Sequence, residues 1–235
     1  MRTLALRCTL IGVLIWGSVA LGTSARARSE ALPSDGPQYL PAAEMLELVA
    51  MGYEDVVADL LWFRAIQYYG EWRRGDHGIQ FFEQLARTTV DLDPGFEDAY
   101  RFTGMVLADD MGLPDRGIDF LRLGMANLPD SWWLPFEAGF IEYVNRKDDA
   151  AAARWFVHAA AVPGAPEYPR RFAAVAASRA GDLSVSSELW RYVAQTTQND
   201  GLRAKAEQYV AELEVALNGG PIPVWAVRPQ VEESR

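Results

Sequence analysis

Three glycines stand at nearly constant spacing in the middle of this chain: Gly70, Gly104 and Gly139, separated by 34 and 35 residues. Three prolines follow at the same beat: Pro94, Pro129 and Pro163, separated by 35 and 34. Two markers returning together at a period of about 34 residues are the signature of stacked helix-turn-helix hairpins. A short helix cannot bury its apolar face alone, so each hairpin must lean on the next. A mid-helix glycine costs about 1 kcal/mol relative to alanine. Its return at one period therefore points to close backbone packing. The prolines end the second helix of each unit.

Helical periodicity supports this reading. Val57, Leu60, Leu61, Ile66 and Tyr69 recur at three- and four-residue steps. The spacing predicts helices over 42–52, 54–73, 79–90, 97–110, 115–126, 133–145, 150–161, 168–180, 184–197 and 202–217. Gly, Pro, Asp and Asn fill the breaks between them. No segment alternates in the manner of a strand.

The stretch Tyr100, Gly104, Gly117, Leu121, Gly124 and Pro129 resembles the consensus of the tetratricopeptide repeat family. The likeness covers about residues 58–198. It implies an all-α fold, a right-handed α-solenoid of helical hairpins with flanking N- and C-terminal helices over 42–217. By position, the next units place Ala151, Trp155 and His158, then Ser186, Trp190 and Val193, as small-large-small packing sets, with Ala174 in the place of the glycines. Glycine at 117 and 124, where the family usually has alanine, and His158 depart from the pattern.

Such proteins bind peptides or helices in a concave groove lined by the first helices. The resemblance implies groove positions at Arg64, Gln67, Tyr68 and Glu71 in the first unit. The second unit supplies Asp98, Arg101, Phe102 and Met105, and the third Trp133, Phe136, Glu137, Phe140 and Tyr143. The third set is aromatic, which favours an apolar or amphipathic segment of a protein partner. Aromatics at helical spacing are equally candidates for core between helices.

The termini add a location. Residues 1–27 join Arg2 and Arg7 to an uncharged apolar run, Cys8–Leu21, and an Ala25-Arg26-Ala27 end. This order reads as a signal peptide, or as an uncleaved anchor that would supply the only membrane contact. Residues 28–41 form a Pro-rich linker. Residues 218–235 are too rich in Gly and Pro for a helix, leaving Trp225 packed on the last helix or loose. The body is expected in the periplasm or cell envelope.

Charge and composition narrow the function. The chain carries 22 Lys and Arg against 32 Asp and Glu, a net charge of −10. Three of the arginines lie in residues 1–27, which hold no acid, so the body stands at −13. Such a body repels nucleic acid. Its only cysteine is Cys8, and its histidines, His77 and His158, lack metal-ligand spacing. No nucleophile, phosphate-loop or dinucleotide motif is present. The expectation is a non-enzymatic protein-binding scaffold or assembly factor without cofactor or metal. One alternative is a glycan-handling module using Trp132 and Trp133. Another is a hydrolase with two carboxylates facing across the groove.

Overall fold

The computed structural model describes residues 40–41, 43–76 and 78–228. The leader, most of the linker, His77 and the tail beyond 228 lie outside the described residues. Among the described residues the chain is all-helical, with no strand. The ten α-helices of the described residues are α1 (Ala43–Ala50), α2 (Glu54–Arg74), α3 (Phe82–Leu92), α4 (Glu97–Met105), α5 (Pro114–Asn127), α6 (Trp133–Ile141), α7 (Asp149–Ala161), α8 (Tyr168–Arg179), α9 (Leu183–Thr196) and α10 (Asp200–Leu217). A 3-10 turn, Val224–Ala226, forms in the tail. No helix among the described residues is long and apolar enough to cross a membrane.

Local chemistry sets the boundaries. Pro114 opens α5, where a missing N–H costs nothing. The Asp148, Asp182 and Asn199 side chains accept from Ala151 N, Val185 N and Leu202 N, capping α7, α9 and α10. Each turn joining α2 to α3, α4 to α5, α6 to α7 and α8 to α9 contains one left-handed residue: Gly75, Gly112, Lys147 and Gly181. Lys147, at φ 57°, is the one without glycine's freedom. The sequence left one feature unannounced. Helices α4 and α6 each finish in a π-helical turn, Val106–Asp110 and Glu142–Arg146.

Helices pack on their neighbours in chain order. α2 lies on α3, α5 on both α4 and α6, α7 on α6 and α8, and α9 on α8 and α10. α4 also touches α6 directly. Four apolar clusters follow one another along the chain, centred on Phe82, Leu121, Phe156 and Trp190. Each such side chain contributes roughly 1.5–3 kcal/mol by leaving water.

The glycines explain the close approaches, with one exception. A Cβ on Gly104 would meet Leu121 Cγ at 2.8 Å, and one on Gly139 the Phe156 ring at 2.7 Å. A Cβ on Gly117 would lie 2.5 Å from the Gly104 carbonyl oxygen. Ala174 is fully buried in the equivalent place, and its carbonyl accepts from Ser186 Oγ at 2.8 Å. Gly70 is different: only Arg74 comes within 4 Å of its Cβ position. It marks no close contact between backbones.

The packing set of the third hairpin also shifts by one residue. Ala152, Phe156 and Ala159 are fully buried, whereas Trp155 is half-buried and His158 exposed. The interval from Leu121 to its counterpart is 35 residues, so the large side chain is Phe156. His158 stacks on Trp155 at the surface.

Polar links repeat on the same beat. Arg73 pairs with Asp110, Glu97 accepts from Ser131, Arg101 pairs with Glu137, Asn145 donates to Asp109, and Arg179 donates to Tyr143, over separations of 34–37 residues. At the far end Trp225 packs on Tyr209 and Trp190, and its indole N–H donates to Glu212 at 2.6 Å. Arg228 then grips the Asp149 carboxylate and donates to the Tyr143 carbonyl at 3.0 Å.

Candidate functional site

A cleft of about 320 Å³ is lined by residues of α2, α4 and α6. Trp62 and Ile66 come from α2. Asp98, Arg101, Phe102 and Met105 come from α4, and Glu137 comes from α6. Its apolar wall is held by edge-on ring contacts. Phe102 meets Trp62 at 5.8 Å and Tyr69 at 5.1 Å. Such contacts fix ring orientation and contribute about 0.5–1.5 kcal/mol each. Ile66 and Met105 stay more than a third exposed at the rim.

Arg101 is the polar centre. Its guanidinium lies 3.2 Å from Asp98, 3.4 Å from Glu137 and 4.1 Å from the centre of the Trp133 ring. Its Nε is buried without an acceptor. Burial opposes the charge of Glu137 more than Arg101 favours it, so its carboxyl titrates above the ordinary glutamate range. A half-buried ion pair of this kind does little for stability. It orients Trp133 and leaves a polar floor beneath apolar walls.

The positions expected from the sequence divide. Asp98, Arg101, Phe102, Met105 and Glu137 meet at this cleft. Trp133 stands beside it, stacked on Trp132 at 4.2 Å with Arg101 close against its ring. Phe140 is exposed on α6. Phe136 is instead core, buried among Phe156, Tyr168 and Phe172. Tyr143 is half-buried, taken up by Arg179 and Arg228. On α2, Tyr68 is buried and donates to the Gly78 carbonyl at 2.6 Å. Arg64 pairs with Glu71 at 3.2 Å, and Gln67 faces solvent.

Trp62 and Ile66, not Arg64, Gln67 and Tyr68, therefore represent α2 in the cleft. The cause is Gly70: it is not a packing contact, so counting from it sets a false register. The apolar steps at Ile66 and Tyr69 were the available signal for this face. The remaining chemistry is sparse. No group of three or more His, Cys, Asp and Glu among the described residues could hold a metal ion. Comparison with family models, with curated proteins and with solved structures finds no match for this chain.

Proposed function

We propose that the chain is a right-handed α-solenoid of tetratricopeptide-like hairpins, exported to the cell envelope, where it serves as a scaffold or assembly factor. It holds an apolar or amphipathic segment of a protein partner in the α2–α4–α6 cleft. The repeat reading draws support from four apolar clusters in chain order and from polar links spaced by 34–37 residues. Export rests on the order of residues in the leader, and exclusion of nucleic acid on the acidic body.

One observation carries the binding role. Three successive first helices supply a cleft with exposed Ile66 and Met105 around a polar floor at Arg101 and Glu137. An apolar anchor with a few fixed polar groups is the usual design of a segment-binding site. The glycan alternative is weaker, because Trp132 and Arg101 already crowd the Trp133 ring.

The test is recovery of partners from the native envelope fraction on wild-type protein and on Ile66→Asp with Met105→Asp. Recovery is expected to fall about tenfold, the cost of placing two charges on the apolar rim that a partner must cover. Equal recovery with an unchanged circular dichroism spectrum rejects the cleft. N-terminal sequencing of the exported protein, with Arg28 as the expected first residue, tests the leader.

A further inference from the structure

The two ends of the helix succession are unlike. The last described helix, α10, turns Lys205, Glu207, Gln208 and Glu214 to solvent, and of its large apolar residues exposes Val215 and Leu217, both near its C-terminal end. The first two helices do the reverse. Met45, Leu48 and Val49 on α1, and Val56, Leu60 and Phe63 on α2, are 52–82% exposed. Val56, Leu60 and Phe63 follow steps of four and three, and Leu48 and Val49 lie three and four residues after Met45, so each helix carries one apolar stripe. On α2 the buried Ala58 and Ala65 lie on the opposite side. These apolar side chains are therefore surplus to the core beneath them. Exposed apolar stripes on two helices that pack together mark an interaction surface.

Charge selects the occupant. Glu44 and Glu47 on α1 and Glu54, Asp55 and Asp59 on α2 share these helices with the stripes, and residues 43–63 contain no Lys or Arg. A second copy placed symmetrically on the face would bring ten carboxylates together, which disfavours self-association. An anionic lipid surface meets the same repulsion. We infer that the α1–α2 face docks a helical segment of another protein whose apolar stripe is flanked by Lys or Arg. Apolar burial supplies the affinity, and the carboxylate rim selects cationic partners and speeds their encounter. The surface lies outside the α2–α4–α6 cleft, so it stands whether or not that cleft binds a partner.

The purified full chain is titrated with fluorescent 18-residue helical peptides, identical in their leucine stripe and flanked by Lys in one and Glu in the other. The Lys peptide is expected to bind about tenfold or more tighter than the Glu peptide, with the difference shrinking at high salt. Leu48→Asp with Leu60→Asp should remove binding of both peptides. Glu47→Gln with Asp59→Asn should narrow the preference while binding persists. Met105→Asp, in the cleft, should change neither. Equal affinity for the two peptides, no binding at all, or dimerisation of the chain alone that Leu60→Asp abolishes would overturn the inference. Binding to anionic vesicles in preference to the Lys peptide would do the same.

Discussion

At the scale of single residues, the glycines of the repeat are not interchangeable. Gly139 faces the flat, rigid ring of Phe156, and Gly117 faces a backbone carbonyl. Neither neighbour can swing aside. Gly117→Ala and Gly139→Ala are each expected to destabilise by about 1–3 kcal/mol, read from denaturant midpoints. Gly70→Ala should do the opposite and stabilise by about 0.5–1 kcal/mol, because a methyl group there meets no backbone and the helix gains propensity. Lys147 offers a second contrast. It holds a left-handed turn that glycine fills in the three equivalent turns, so Lys147→Gly should stabilise by about 1 kcal/mol in the same measurement.

At the scale of elements, helix positions were legible in the sequence because Gly, Pro, Asp and Asn punctuate nearly every break. The pairing of Gly104 with α5 was legible for the same reason. Three things were not. The π-helical ends of α4 and α6 depend on how the next turn meets its neighbours rather than on local propensity. The choice of Phe156 over Trp155 turned on one residue of spacing, and two adjacent aromatics gave no means of choosing. The split between Arg101, which lines the cleft, and Phe136, which is core, depends on which side of a helix its neighbours cover. The tail is the last case: proline and glycine forbid a long helix there but say nothing about Arg228 reaching Asp149. Arg228→Ala leaves a mostly buried carboxylate without its partner. It should cost about 1–3 kcal/mol and increase hydrogen exchange in α7 and α10 before α2 responds.

At the scale of the molecule, buried acids give an unusual pH response. Burial is the main cause raising the carboxyls of Glu137 and Glu142 above the ordinary range. A raised carboxyl binds its proton more readily in the folded chain than in the unfolded one. Its stabilising contribution is therefore complete below the ordinary carboxylate range and is lost as pH rises through the elevated value. Folding should be firmer in mildly acidic solution than at neutrality, and Glu137→Gln should flatten part of that slope in urea titrations across pH. Equal stability across that window would contradict the burial of these groups.

The greasy stripes of α1 and α2 and the mainly charged face of α10 also set how assemblies grow. Unlike poles of this kind do not pair with each other end to end. Complexes built on it should therefore be closed and of fixed stoichiometry, without the open-ended filaments that two matching poles would produce.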